Sequence, residues 1–278
     1  MIISVSRRCD IPRFQFDWFM ERLEAGFTDV TNPFNRGQVR RVSLLPGDAD
    51  AFVFWTRDPR PILLRAAELE ERGIRYYVMT TLTGYPAVLE PDVPAAEEVI
   101  AAMEGLAEKL GPERVVWRYD PIILSSCTDE AFHSRNFRAL AEALGASVCR
   151  VIVSLYDPYP AAERRLFRLE KTGTLGMMPL YGADGSLLPR TRELLADLAG
   201  IARETGMEIR SCAEGAEFLS LGIEPGACID GERIRRLWGI EAGGRDTNQR
   251  PLCRCAPATD IGRYGPCPAG CAYCYARR

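Results

Sequence analysis

Histidine is almost absent from this chain: His133 is the only one in 278 residues. A single imidazole excludes His-rich zinc hydrolase sites and argues against a Ser–His–Asp triad, both of which use imidazole as ligand or base. His133 itself falls in a helical pattern over residues 130–137, where a surface or capping role is expected. Lysine is nearly as scarce, with only Lys109 and Lys171 among 35 basic residues. Lys109 falls in a helical pattern and Lys171 in a loop, which argues against a Schiff-base enzyme needing a desolvated lysine. Strong charge of one sign is missing too. A net charge of −3 and a pI of about 5.5 give no general basic field for gripping nucleic acid. No apolar run approaches the roughly 18–20 residues that span a bilayer, and residues 1–8 turn polar too soon for a secretory leader. The expectation is a cytoplasmic protein, in a compartment where thiols stay reduced.

What is present is enough apolar sequence, 47% of the chain, to bury a full core. Short β-branched or aromatic runs at residues 2–5, 51–56, 76–82, 115–119, 148–155 and 208–212 read as strands, with a further one around 28–32. They are nearly continuous apolar segments, as parallel strands buried on both faces are. Helical patterns over 15–25, 61–72, 94–110, 129–144 and 189–205 alternate with them, and Gly73, Gly111, Gly145 and Gly206 mark helix ends. Repeated βα units predict an α/β fold, a full or partial parallel (β/α) barrel of the TIM-barrel kind over residues 1–212. Residues 38–44 form a small added hairpin arm, and residues 172–188 a long loop. Residues 213–278 lose the βα rhythm. They read as a short helix at 231–237 and an irregular cysteine-rich extension folding over the carboxyl-end mouth.

The strand ends are polar in a consistent way. Residues 2–5 run into Ser6-Arg7-Arg8-Cys9-Asp10, and 51–55 into Thr56-Arg57-Asp58. Residues 115–117 run into Arg118-Tyr119-Asp120, 151–153 into Ser154-Leu155-Tyr156-Asp157, and Ile209 leads to Ser211-Cys212-Ala213-Glu214. Active sites of parallel α/β folds form at these ends. An Asp after a strand also caps the following helix in many proteins, and either role suits any one of these.

Ten cysteines in a reducing compartment point to metal or redox work, and five of them fall between Cys253 and Cys274. The block Cys267-Pro268-Ala269-Gly270-Cys271-Ala272-Tyr273-Cys274 is a C-x3-C-x2-C pattern. Three thiolates in one short loop can hold three corners of a four-iron cluster and leave one iron open. The same donors also suit a closed electron-transfer cluster or zinc. Cys212, Cys228, Cys253 and Cys255 form a second candidate set, for a closed iron–sulfur cluster or a structural zinc. Otherwise two of these are inert and the C-x-C pair joins the first site. Cys9, Cys127 and Cys149 carry no motif and are expected to pack.

The terminal triplet, with Tyr273 before Cys274, resembles the cluster loop of radical S-adenosylmethionine enzymes. Cys271-Ala272-Tyr273-Cys274-Tyr275-Ala276 is similar to the spore photoproduct lyase branch in particular. That resemblance implies a 4Fe–4S cluster on Cys267, Cys271 and Cys274. It also implies S-adenosylmethionine on the open iron, a 5′-deoxyadenosyl radical, and an electron donor such as flavodoxin or ferredoxin. The usual position of that loop, after the first barrel strand, differs from its place here at residues 267–274. The whole chain also resembles an uncharacterised bacterial family. The matching segments are Ser6-Arg7-Arg8-Cys9-Asp10-Ile11-Pro12, Asn32-Pro33-Phe34-Asn35, Phe54-Trp55-Thr56, Leu82-Thr83-Gly84-Tyr85, Trp117-Arg118-Tyr119-Asp120-Pro121-Ile122, Ser211-Cys212-Ala213-Glu214 and the cysteine block. That pattern names no substrate.

Three functions compete. The first is a radical enzyme acting on a small-molecule, nucleotide-like or anionic substrate. Its catalytic candidates are Arg7, Arg8, Asp10, Arg118, Asp120 and Glu214, and its cofactor contacts Tyr273, Trp117, Tyr119 and Glu214, with Trp55 as a further stacking surface. The second is a non-enzymatic iron–sulfur or zinc protein that docks a partner. The third is a barrel hydrolase with a divalent metal on Asp10, Asp120, Asp157 and Glu214, disfavoured by the lone histidine.

Overall fold

The computed structural model describes residues 1–32, 35–265 and 267–277; Pro33 and Phe34 of the Asn32–Asn35 motif lie outside the described residues. Its strands are β1 (Ile2–Val5), β2 (Phe27–Asn32), β3 (Asn35–Ser43), β4 (Ala51–Thr56), β5 (Tyr76–Thr81), β6 (Val115–Ile122), β7 (Arg150–Leu155), β8 (Glu208–Cys212), β9 (Glu224–Gly226) and β10 (Ala258–Asp260). Eight of these form one parallel sheet in the order β10-β1-β4-β5-β6-β7-β8-β9, while β2 and β3 pair as a separate antiparallel arm. The α/β class and the arm agree with the sequence reading. The hydrogen-bonded order ends at β10 and β9, and no ladder joins those two edges among the described residues.

Helices between the strands are α1 (Ile11–Phe14), α2 (Phe16–Ala25), α3 (Arg60–Leu64), α4 (Ala66–Glu71), α5 (Ala96–Leu110), α6 (Glu130–Leu144), α7 (Pro160–Lys171), α8 (Pro189–Glu204), α9 (Glu217–Ser220) and α10 (Gly231–Trp238). Lys171, expected in a loop, ends α7. That helix escaped the sequence reading because its buried residues are only Ala162 and Leu166, while Phe167 faces solvent. So thin an apolar stripe gives a weak period. No helix among the described residues is long and apolar enough to cross a membrane.

Alternation along the strands divides the sheet into two buried faces. Ile3, Val5, Phe52, Phe54, Tyr76, Val78, Trp117, Tyr119 and Val153 belong to the core that includes the helices. The opposite set, including Ile2, Val53, Trp55, Tyr77, Met79, Val116 and Ile152, packs on Cys228, Ile229, Ile234, Cys253, Cys255 and Ala256. The segment from residue 213 onward is therefore no mere appendage. It covers one face of the sheet and supplies both edge strands.

His133 lies in the core rather than on the surface or at a cap. Its Nε2 is 2.9 Å from the Ile123 carbonyl and its Nδ1 is 2.8 Å from the Tyr119 hydroxyl. A carbonyl only accepts, so Nε2 carries the proton and Nδ1 accepts from Tyr119. Asn136 Nδ2 in turn donates to the Tyr119 hydroxyl at 3.1 Å. Burial pushes the imidazole down to about 4. With the folded pKa below the ordinary 6.5, protons favour the unfolded chain between those values. Stability relative to a His133→Gln variant is expected to fall by roughly 3 kcal/mol as pH drops from 6.5 to 4, then level off. Urea unfolding across that range checks this, and parallel curves for the two proteins would refute it.

Candidate cysteine-lined site at the strand ends

A cavity of about 540 Å³ opens at the carboxyl ends of β1, β4, β5, β6, β7 and β8. Eight of the ten cysteines line it: Cys9, Cys212, Cys228, Cys253, Cys255, Cys267, Cys271 and Cys274. Arg7, Arg8, Asp10, Trp55, Arg118 and Asp120 line it too, as their strand-end positions predict. Cys127 and Cys149 lie elsewhere, the first beside Ser125 and the second beside the Pro112 carbonyl.

The Cys267–Cys274 loop is held by buried polar contacts. Glu90, only 4% exposed, accepts from Arg57 Nη1 at 2.8 Å and from Thr83 Oγ1 at 2.6 Å. The Tyr273 hydroxyl bonds to both Glu90 and Arg57. Burial works against the Arg57 charge, and Glu90 with Tyr273 more than restores it. Two backbone ties flank this latch: Ala272 N donates to the Leu89 carbonyl at 2.9 Å, and Arg165 Nε donates to the Ala272 carbonyl at 2.9 Å. Arg165 also reaches the carbonyls of Cys274 and Arg277. Gly270 makes the turn at φ +70°, where a side chain would be strained and would press on Pro91, 3.2 Å from its Cβ. Inside this loop burial pushes the Cys271 thiol up to about 11 and raises Cys267 as well.

The second set converges from three elements. Cys212 at the end of β8 and Cys228 after β9 have sulfurs 3.4 Å apart. Cys255 hydrogen-bonds to the thiols of Cys228 and Cys253 and accepts from the Ile229 N–H at 3.3 Å. Hydrogen bonds among the four draw Cys212 down to about 7 and lower Cys255, while Cys228 and Cys253 are raised. Zinc–sulfur bonds of about 2.3 Å in a tetrahedron put sulfurs about 3.8 Å apart, close to the observed pair. This all-sulfur donor set fits a soft metal or an iron–sulfur cluster. Among the described residues no group of three or more His, Cys, Asp or Glu side chains already stands where it could hold a metal ion.

Several expected contacts fall elsewhere. Trp117 and Tyr119 do not line the cavity, because alternation along β6 sends Arg118 and Asp120 there and turns their neighbours into the helix-side core. Trp117 Nε1 donates to the Leu82 carbonyl at 2.8 Å instead. Glu214 also stays off the cavity and accepts from the Leu155 N–H at 2.9 Å; burial, with Asp157 nearby, raises it to about 7. Tyr273 lines the cavity, yet its hydroxyl is committed to the Glu90 latch. Asp10 caps α1 through Arg13 N at 3.0 Å and takes Arg57 N at 2.8 Å; burial raises it to about 6. Asp120 bonds to Arg118 and Ser154, and Asp157 to Arg250. The four carboxylates proposed for a hydrolytic metal are thus each engaged by protein donors.

Sequence reasoning missed Asp260 and Glu90. Asp260 ties the mouth together, accepting from Ser4 Oγ at 2.9 Å, Ser6 Oγ at 2.6 Å, Arg7 N at 2.8 Å and Gly262 N at 2.9 Å. Gly262 packs so close that a Cβ there would sit 1.9 Å from Ser6 Oγ. Neither acid belongs to a spacing pattern, so no local signal marks it.

The latch carries a test. Glu90→Ala leaves Arg57 buried without its carboxylate and is expected to cost about 3 kcal/mol, whereas Tyr273→Phe loses one hydroxyl and about 1 kcal/mol. Chemical denaturation measures both, with Glu108→Ala as the surface control. If Glu90→Ala matches that control, the latch does not hold the loop.

No curated protein matches the chain. Among solved structures, it resembles a D-hydantoinase from Bacillus sp. AR9 at 12% identity and a TM-score of 0.32, over 63% of this chain and 36% of that one. The chain thus spans about a third of the hydantoinase. It also resembles the FimX EAL domain of Xanthomonas citri, solved with c-diGMP, at 15% identity and a TM-score of 0.25, over 76% of this chain and 89% of that one. Residues 2–276 match the family described as a domain of unknown function, DUF1848, and the chain belongs to that family.

Proposed function

We propose that this chain is a cytoplasmic iron–sulfur enzyme of the radical S-adenosylmethionine type, with Cys267, Cys271 and Cys274 holding a cluster that leaves one iron open. The observation that carries this reading is the cavity itself: the triplet and five further thiols face one space at the carboxyl ends of a parallel sheet. A four-iron cluster bound there supplies a redox-active iron with a coordination position for the amino and carboxylate groups of S-adenosylmethionine. The chain's own residues orient and enclose. The Glu90 latch and Arg165 fix the loop so that its thiols face the cavity, and Tyr275, its ring tilted against that of Tyr159 at 5.2 Å, lines the same space. Trp55 and Arg118 also line it, with the guanidinium 4.9 Å over the ring. Flavodoxin or ferredoxin is the expected electron donor.

A second reading rests on the 3.4 Å separation of Cys212 and Cys228. There, Cys212, Cys228, Cys253 and Cys255 hold a zinc ion or a closed cluster that fastens the last quarter of the chain to the sheet and serves no chemistry.

Protein purified anaerobically is expected to contain iron and sulfide at about four each per open cluster. After dithionite reduction it should convert S-adenosylmethionine to 5′-deoxyadenosine. Cys267→Ala, Cys271→Ala and Cys274→Ala should each remove the open cluster, while Cys127→Ala and Cys149→Ala keep it. Metal analysis and chromatography of 5′-deoxyadenosine decide the matter. Stoichiometric zinc without sulfide, or no 5′-deoxyadenosine from cluster-replete protein, sinks the first reading.

A further inference from the structure

We propose that the cavity at the strand ends is built to hold an oxyanion, a phosphate or carboxylate group of a small-molecule substrate, with Arg7 as its principal donor and Arg118 as a second donor on the same cavity. The argument begins with the acids. The described carboxylates lining the cavity are Asp10, Asp120, Asp157 and Asp260, and each already accepts hydrogen bonds from the protein. Asp260, in ion-pair range of Arg7, takes four such bonds, one of them from the Arg7 backbone N–H. It forms an ion pair with Arg7 at 3.7 Å from Nε, too long for a hydrogen bond.

Five arginines line the same space: Arg7, Arg8, Arg57, Arg118 and Arg250. Arg57 and Arg250 are spoken for by Glu90 and Asp157. Arg8 gives one bond of 3.3 Å to the Gly262 carbonyl. Among the described residues the Arg7 guanidinium makes no hydrogen bond, although its side chain is only 20% exposed. Arg118 uses one amino group on Asp120, while its Nε is buried without a partner, as is Nε1 of the Trp55 ring beneath it. Buried donors without acceptors are costly, so the arrangement favours a ligand that brings acceptor atoms. Nearby Cys228 and Cys255 are poor substitutes, since sulfur accepts weakly.

Guanidinium forks match carboxylate and phosphate oxygens two at a time, which sets the ligand class. The volume of about 540 Å³ sets its size, that of a small molecule. This inference rests on the cavity's donors and not on the cluster, and it stands or falls separately.

The test is calorimetric titration of the full chain, purified anaerobically, with inorganic phosphate and separately with acetate. Saturable binding of at least one is expected; whichever binds more tightly names the group. Arg7→Gln should weaken that binding roughly tenfold to hundredfold, the loss of one charge-assisted contact. Arg65→Gln, at a surface ion pair with Glu68 and Asp17, should leave it unchanged. Arg118→Lys keeps the charge but not the fork, and should weaken binding less than Arg7→Gln. Circular dichroism confirms that each variant is folded; the Arg7 side chain gives up only a long ion pair with Asp260 and no hydrogen bond, so the variant should fold as the wild type does. The proposal is overturned if neither anion binds saturably, or if Arg65→Gln weakens binding as much as Arg7→Gln. It also falls if Arg7→Gln lowers metal content while anion affinity stays the same, because the arginine would then serve the thiols.

Discussion

A parallel sheet with apolar residues on both faces must be covered twice, and the second cover decides the architecture of this protein. Helices such as α2, α5 and α6 bury one face in the ordinary βα manner. The other face is closed by residues from beyond β8. Ile229 and Ile234 are fully buried there against Val53, Tyr77, Val116 and Ile152. Complete burial of such side chains contributes about 1.5–3 kcal/mol each, so this segment has a strong reason to lie across the sheet. Cys228, Cys253 and Cys255 travel with it and are set down beside Cys212, while β10 adds itself to the edge of β1. A packing requirement thus gathers four thiols that are spread over 44 positions of sequence, from 212 to 255.

Buried charge organises the opposite side of the cavity. Glu90 and Arg57 could not remain in the interior alone, and each makes the other tolerable. Tyr273 joins them and carries the Cys267–Cys274 loop with it. Asp260 has the same part for the segment after β1, tying Ser6 and Arg7 to the strand that arrives from the far end of the chain. Two acids, neither in a cysteine motif, therefore hold the two halves of the mouth in register.

Much of the fold was legible beforehand because its signals are local. β1, β4, β6 and β7 are runs of β-branched and aromatic residues, and the glycines after α5 and α6 mark helix ends by backbone geometry. The C-x3-C-x2-C loop was equally legible, since three cysteines within eight residues need no tertiary information to be neighbours. Trp117 and Tyr119 show the limit. Their sequence places them at a strand end beside Arg118 and Asp120, but a strand's side chains alternate, and only the packed helices reveal which face is core. β9 and β10 show it again: three residues each are too few for a periodic signal.

By itself, then, the sequence determined the α/β class, the strand-end position of Arg7, Asp10, Arg118 and Asp120, and the clustering of the terminal thiols, all through short-range spacing. Tertiary structure alone decided that Cys212 meets Cys228, that Glu90 and Asp260 hold the mouth, and that Glu214 turns away from it. Those pairings join residues from 16 to 256 positions apart, and only tertiary packing brings them within bonding distance.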